Sequence, residues 1–122
     1  MVRARKITIT DVLMEYYSEY NWGVLGENYS DIVWKSDESY KPTESDINEK
    51  ITVLTNAEPM RFLREERNRR IVETDWWVLP DRTASQEQLD YRQALRDLPS
   101  TASPELDEQG FLTNVTWPTK PE

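Results

Sequence analysis

The longest stretch with helical spacing, residues 43–73, constrains the fold more than any other feature. Thr43 or Ser45 can accept backbone N–H bonds at a helix start, and Pro42 cannot continue a helix backwards. Apolar side chains then repeat at helical spacing at Ile47, Ile51 and Leu54. The pattern predicts a helix that begins near Thr43.

Pro59 divides this stretch, because proline lacks the backbone N–H that a helix interior needs. With Asn56 as the cap and Pro59 in the first turn, the sequence predicts a second helix that ends at about Glu73. Its apolar residues are Met60, Leu63 and Ile71. The alternative is one long helix kinked at Pro59.

Two further helices are predicted, one on each side of this stretch. Thr10 can cap a helix over residues 11–20, and Ser85 can open another that Pro99 ends. The apolar face of the first is Val12, Leu13, Tyr16, Tyr17 and Tyr20. The apolar stripe of the other is Leu89, Ala94, Leu95 and Leu98.

The remaining segments favour strands or an extended chain. β-Favouring residues on both sides of the turn-rich residues 26–31 predict a hairpin, and the alternating residues 6–10 predict a short strand or a lead-in to the first helix. Four of the seven prolines lie from Pro99 onward. They predict an extended arm, held locally by Phe111, Leu112, Val115 and Trp117.

Together these elements predict a small single-domain α+β fold. It comprises an N-terminal helix and β-hairpin, a helical hairpin or bundle, and an extended C-terminal arm. We expect residues 1–99 to form the compact domain and residues 100–122 to form the arm. The five Trp and six Tyr residues predict a small core that is rich in aromatic rings.

Charge and composition exclude several classes of function. The net charge is −8, which disfavours nucleic acid and anionic membranes as partners, because both bind through lysines and arginines. The absence of Cys and His excludes thiolate and imidazole chemistry and the zinc sites built on them. No signal peptide or membrane span is expected. Calcium-loop, phosphate-loop and nucleophile-elbow motifs do not occur, so we expect no catalytic residue, no metal site and no cofactor.

Five of the fifteen basic residues lie within residues 61–70. Helical spacing pairs glutamates with them: Glu58 with Arg61, Glu65 with Arg69, and Glu66 with Arg70. This pattern is typical of a solvated helix face whose charges pair with one another. The alternative is a surface for an acidic partner.

The adjacent Trp76 and Trp77 predict one buried ring and one ring free to meet a partner, because neighbouring residues in a loop or strand point to different sides. Trp117 stands beside Pro118 in a polar, acidic tail. It either folds back on the body of the protein or docks on another protein.

Several segments together resemble the small tail assembly chaperone family of tailed bacteriophages. They are LREERNRR, TDW, YRQALRDLP and VTWPTKP, preceded by YSDIVWKSDESYKPTESDI from Tyr29 onward. The matching positions are Leu63, Arg64, Arg67, Asn68, Thr74, Asp75, Trp76, Asp81, Tyr91, Arg92, Gln93, Ala94, Leu95, Arg96, Asp97, Leu98, Pro99, Val115, Trp117, Pro118, Lys120 and Pro121. A weaker likeness extends to tail-fibre assembly proteins.

The sequence departs from the family pattern at two places. Gln88 stands where the family often has Trp, and Arg70 and Ile71 stand where it has a pair of leucines. Both departures remove apolar area from the helix pair. We expect charge-assisted bonds across that pair to fix the DW segment, with donors and acceptors drawn from Arg64, Arg67, Asn68, Tyr91, Arg92 and Asp97.

The resemblance implies a non-enzymatic protein that binds a phage tail or tail-fibre protein, within a symmetric assembly beside a fibre or a tail ring. It would act in the host cytoplasm as a chaperone that leaves, or stay in the virion tail as a small structural component. The alternative is a small acidic inhibitor or mimic that binds a host protein. The predicted protein-binding residues are Trp76, Trp77, Arg92, Arg96, Val115, Trp117, Pro118 and Lys120.

Overall fold

A computed structural model describes residues 3–122 and confirms the α+β class. Its helices are α1 (Ile9–Tyr16), α2 (Glu44–Glu73) and α3 (Gln86–Thr101). Its strands are β1 (Trp22–Val24), β2 (Ile32–Trp34), β3 (Glu105–Leu106) and β4 (Leu112–Thr113). Short 3-10 helices lie at Tyr29–Asp31, Glu38–Tyr40 and Asp75–Val78.

Contacts divide the chain into two compact units. The N-terminal unit is residues 5–57, and the C-terminal unit is residues 58–122 together with residues 3–4. α2 supplies its first part to one unit and its second part to the other. The boundary predicted at residue 99 lies within the C-terminal unit.

α2 is a single helix with Pro59 inside it. The alternative of one long helix is therefore confirmed, and the predicted start of a second helix at Asn56 is wrong. A proline within a helix costs about 3 kcal/mol, because it removes one backbone bond and crowds the preceding turn. The helix persists because both parts are held by packing, with Ile47 and Leu63 fully buried.

The start of α2 is defined by reciprocal bonds, as the sequence predicts. The backbone N–H of Thr43 donates to the Asp46 carboxylate, and the backbone N–H of Asp46 donates to the Thr43 hydroxyl, each at 3.1 Å. This arrangement satisfies backbone donors that have no partner within the helix.

The predicted hairpin is confirmed in the N-terminal unit. β1 and β2 are antiparallel, with Trp22 opposite Trp34 and Val24 opposite Ile32. The hairpin, α1 and α2 enclose a core of buried residues: Ile9, Val12, Leu13, Ile32 and Ile47. Partly buried aromatic rings surround that core, as the composition predicts.

The bounds predicted for α1 are wrong, because Thr8 rather than Thr10 caps the helix and Tyr16 is its last residue. The backbone N–H of Thr8 donates to the Asp11 carboxylate at 2.8 Å, which places Asp11 in the third helical position. Beyond the helix end, the carbonyl of Tyr17 accepts a bond from the Trp22 indole at 2.9 Å. The first hairpin strand therefore supplies a side-chain partner for the chain leaving α1.

In the C-terminal unit, α3 begins as predicted at Ser85, whose hydroxyl accepts from the Gln88 backbone N–H at 3.1 Å. Its predicted end at Pro99 is wrong, since the helix continues to Thr101. Proline removes only one bond in this last turn, and the backbone N–H of Ala102 still donates to Leu98 at 2.9 Å.

The predicted apolar stripe of α3 is only partly correct. Leu95 is fully buried, but Leu89 and Ala94 are exposed. Tyr91 and Arg92 occupy the buried face instead. The pattern therefore locates Leu95 correctly but misses Arg92, because an arginine is counted as polar in a hydrophobic pattern.

The C-terminal segment contains a small antiparallel hairpin, β3 with β4, closed by a turn at Gly110. The backbone N–H of Ala4 donates to the Gly110 carbonyl at 2.8 Å. This bond attaches the N-terminal segment to the hairpin turn of the C-terminal unit. Among residues 3–122, no helix combines the length and apolar character of a membrane span. Among these residues, no group of three or more Asp or Glu side chains lies close enough together to hold a metal ion.

Gly110→Ala is expected to lower the free energy of unfolding by about 1 to 2 kcal/mol, because Gly110 has a φ of 89° that an L-residue rarely adopts. The added Cβ would also lie 2.7 Å from the Ala4 carbonyl oxygen. Urea denaturation measures the change. Gly23→Ala is the control, since nothing lies within 4 Å of a Cβ there; equal losses in both variants would contradict the conformational explanation.

The Arg5 guanidinium and the Thr8 amide and hydroxyl lower the pKa of the Asp11 carboxyl from 3.8 to about 2. Because the folded pKa is depressed, this stabilisation is present above the ordinary value and is lost as the pH falls from 3.8 to about 2. We expect the wild type to be more stable than Asp11→Asn at neutral pH, with a difference that disappears across that window. Urea titrations along a pH series test this. A difference that stays constant with pH would contradict it. Glu15→Gln, at an exposed position of the same helix, is the control for removing one carboxylate from α1.

Candidate protein-binding site

The DW turn, the 3-10 helix Asp75–Val78, follows α2 and is held by one buried arginine. The Arg92 guanidinium donates to the Ile71 carbonyl at 3.0 Å, to the Thr74 hydroxyl at 2.8 Å and to the Asp75 carboxylate at 3.1 Å. Thr74 is fully buried, and its hydroxyl in turn donates to the Ile71 carbonyl at 3.0 Å. Arg92 therefore ties α3 to the end of α2 and to the turn that follows it.

Trp77 is the buried member of the tryptophan pair, with 3% of its surface exposed. Its ring lies 6.0 Å, between centroids, from the ring of Tyr91. With Leu95 these two residues form the buried cluster of the C-terminal unit, and Trp117 packs against it. The prediction of one buried and one exposed tryptophan is confirmed.

The C-terminal arm folds back on this unit, which is one of the two alternatives left open for Trp117. The Arg70 guanidinium lies 4.2 Å from the centroid of the Trp117 ring, a distance typical of a cation–π contact. The Lys120 ammonium lies 3.1 Å from the Glu73 carboxylate. Lys120, with a further contribution from Arg69, holds the pKa of the Glu73 carboxyl below its ordinary value.

Four apolar side chains remain exposed around the DW turn. We call Val72, Trp76, Val78 and Leu79 the DW surface, with 67%, 51%, 44% and 49% of their surfaces exposed. The Arg82 guanidinium lies 4.3 Å from the Trp76 ring centroid and stacks on it. These four exposed side chains lie within eight residues of the chain, which makes the segment a candidate for contact with another protein.

The arginine-rich part of α2 is largely self-paired, as the spacing predicts. Glu58 bonds to Arg61 and Glu66 bonds to Arg70, as expected, but Glu65 pairs with Arg61 rather than with Arg69. These pairs are local to the helix, so each contributes a few tenths of a kcal/mol. A solvated face is the interpretation that the geometry supports.

The expected bonds across the α2–α3 pair are present in part. Besides Arg92, Arg67 donates to the backbone carbonyl of Arg96, with a long separation of 3.4 Å. Asp97 instead accepts from Gln93 within α3 at 2.9 Å. Most of the bonding across the pair therefore depends on Arg92.

The predicted binding residues differ in how exposed their side chains are. Trp76, Arg96 and Lys120 are exposed, whereas Trp77 and Arg92 are buried. The other predicted residues are half-buried and lie in the arm: Val115, Trp117 and Pro118. Sequence reasoning missed Val72, Val78, Leu79 and Arg82, although the apolar run WWVLP on a turn was a usable signal for two of them.

A family model described as phage tail assembly chaperone protein matches residues 60–122, just over half of the chain. The chain belongs to the phage tail assembly chaperone family. The match includes the second part of α2, the DW turn, α3 and the arm, and so contains the whole DW surface. Neither the curated proteins nor the solved structures gave a match.

Membership in the tail assembly chaperone family supports a role for this chain in phage tail assembly. The sequence resemblance upstream of residue 60 lies outside the matched region. The N-terminal unit therefore carries features that the family match does not explain.

Arg92→Ala is expected to lower the free energy of unfolding by about 2 to 3 kcal/mol, since it removes charge-assisted hydrogen bonds from a buried position. Arg92→Lys should recover only part of the loss, because an ammonium does not reproduce the planar guanidinium. Thermal and urea unfolding measure both changes. Arg96→Ala, an exposed arginine one turn further along α3, is the control; a similar loss there would show that Arg92 has no special role.

Proposed function

We propose that this protein assists phage tail assembly by binding a tail protein through the DW surface, in a non-enzymatic role. The observation that carries the proposal is the exposure of Val72, Trp76, Val78 and Leu79 within the region that matches the family. Covering such side chains removes apolar area from water and favours association.

The DW surface has the rigidity that a binding surface needs. Trp77 is buried directly beside Trp76, and Arg92 bonds the residues at the start of the turn. A preformed surface loses less conformational entropy on binding than a flexible loop does. Trp76 thus combines a large ring with a fixed position, as binding hot spots commonly do.

The predicted binding residues of the arm support this surface in our proposal. Trp117 packs against the cluster that contains Trp77, and Lys120 pairs with Glu73 at the end of α2. Val115 and Pro118 belong to the same half-buried segment. Removing the arm would therefore disturb the DW surface itself, so point substitutions are better tests than truncation.

We propose a tail-fibre or tail subunit as the partner and the host cytoplasm as the place where the two meet. A chaperone released after assembly and a small subunit retained in the virion differ in one observable, the presence of the protein in purified particles. Mass spectrometry of virions distinguishes them, because stoichiometric presence would exclude release.

An acidic inhibitor of a host protein is less well supported. Such a mimic needs unpaired carboxylates on one rigid face. On α2, Glu58, Glu65, Glu66 and Glu73 each pair with an arginine or a lysine.

Trp76→Ala is expected to weaken binding to the tail partner by at least about tenfold, as is usual when a buried interface tryptophan is truncated. Co-expression with the tail and fibre proteins of the same phage identifies the partner, and interferometry then measures the affinity. The fold should be retained, since Trp76 is half exposed.

Leu25→Ala is the matched control, because Leu25 is 84% exposed and lies in the N-terminal unit, outside the family match. It should bind as the wild type does. If Trp76→Ala binds with unchanged affinity while remaining folded, the DW surface is not the binding site.

A further inference from the structure

Four aromatic rings form a connected cluster in the N-terminal unit. We call Tyr17, Tyr20, Trp34 and Tyr40 the Tyr–Trp cluster. Tyr20 lies 5.5 Å from Trp34 and 5.4 Å from Tyr40 between ring centroids, and the contact with Tyr40 is stacked, with 22° between the ring planes. Tyr17 meets Trp34 edge to face at 6.3 Å.

The cluster extends from the core to the surface. Tyr17 and Trp34 pack against the buried residues of the unit, whereas Tyr40 is 57% exposed. The indole N–H of Trp34 already donates to the Asp37 carbonyl at 2.9 Å. Tyr40 stacks on Tyr20 with one face and is the most exposed ring of the cluster, so it is the ring best placed to meet a ligand.

Carboxylates lie within three residues of the cluster in the sequence, and one of them, Asp37, already accepts bonds from the Ser39 amide and hydroxyl. Glu19 is next to Tyr20 in the chain, and Asp37 and Glu38 precede Tyr40. Burial raises the pKa of the Tyr17 hydroxyl, and the Asp46 carboxylate raises it further. Desolvation raises the pKa of the Tyr20 hydroxyl, and the Glu19 carboxylate raises it further. The electron-rich faces of the rings and these carboxylates both favour positive charge.

Two lysines of this unit engage other rings. Lys41 lies 5.3 Å from the centroid of Tyr29, and Lys50 lies 4.8 Å from that of Tyr16. Both rings lie outside the Tyr–Trp cluster. Lys35 follows the end of β2, and its backbone N–H donates to the Asn21 carbonyl at 2.9 Å.

We propose that the Tyr–Trp cluster is a second binding surface, which takes an arginine-containing segment of a partner protein. A guanidinium is planar and weakly hydrated, so it can stack on Tyr20 or Tyr40 while its N–H groups donate to neighbouring carboxylates. Lysine offers a more strongly hydrated charge and no flat face. This surface is distinct from the DW surface, because its four rings belong to the N-terminal unit and the DW surface belongs to the C-terminal unit.

Other ligands of aromatic surfaces fit less well. Nucleic acid also stacks on aromatic rings, but the carboxylates repel its phosphates. Proline-rich segments dock in aromatic grooves without needing negative charge. The acidic surroundings therefore favour an arginine segment over both.

The test is a titration of the 122-residue protein with a capped peptide that alternates glycine and arginine. NMR chemical shifts and tryptophan fluorescence measure the binding. Saturable shifts confined to Tyr20, Trp34, Tyr40 and their neighbours are expected. The same peptide with citrulline in place of arginine keeps the shape, removes the charge and should not bind. Tyr40→Ala should weaken binding by about two- to fivefold, the usual range for an exposed cation–π contact.

Matched variants separate the ring from the charge. Tyr40→Phe keeps the ring and should bind as the wild type does, and the double variant Glu19→Gln with Glu38→Gln should weaken binding and reduce its dependence on salt. Tyr16→Ala, an exposed tyrosine outside the cluster, is the control. Trp76→Ala should leave peptide binding unchanged, which separates this surface from the one proposed for the tail protein.

Several outcomes would overturn the proposal. They are absence of saturable shifts at millimolar peptide, equal binding of the citrulline peptide, and stronger binding of a proline-rich peptide or of a single-stranded oligonucleotide of matched length. An equal loss of binding in Tyr16→Ala and Tyr40→Ala would also overturn it, because the effect would then not be specific to the cluster.

Discussion

The C-terminal unit depends on one interaction, the bonding of the Arg92 guanidinium to the end of α2. A buried cation is costly unless its donors are satisfied, and Arg92 meets this condition with a backbone carbonyl, the Thr74 hydroxyl and the Asp75 carboxylate. These acceptors lie on both sides of the junction between the helix and the DW turn. The same bonds that compensate the charge therefore hold α3, α2 and the turn together.

The position of the DW surface follows from this support. Trp77 fills the cluster beneath the turn, so Trp76, its neighbour in the chain, is left at the surface with Arg82 stacked on it. The arm reinforces the arrangement, because Trp117 packs on the cluster and Lys120 pairs with Glu73. The buried member of the tryptophan pair therefore supports the turn, and the exposed member remains at the surface.

The sequence predicts elements well where the determining bonds are local. Ser85 at the start of α3 was identified, and Thr43 was one of two candidates for α2, because a cap acts within three residues. At α1 the same local rule favoured the wrong threonine, Thr10 instead of Thr8. The errors at Pro59 and Pro99 have one cause. A proline in the sequence indicates a lost backbone hydrogen bond and a clash with the preceding turn, but whether the helix continues depends on packing against residues distant in sequence. For the candidate site, the sequence identified the tryptophan pair but could not assign the buried member.

The sequence by itself indicated that helices lie in three regions, that a hairpin follows the first of them, that most charges along α2 pair within the helix, and that the chain resembles a phage tail assembly family. Each depends on residue type and short spacing. Only the tertiary structure decided that Arg92 is buried, that Trp117 folds back and that Trp76 is exposed. These outcomes depend on which groups meet across α2, α3 and the arm, and a charged side chain is buried only where folding brings its acceptors together.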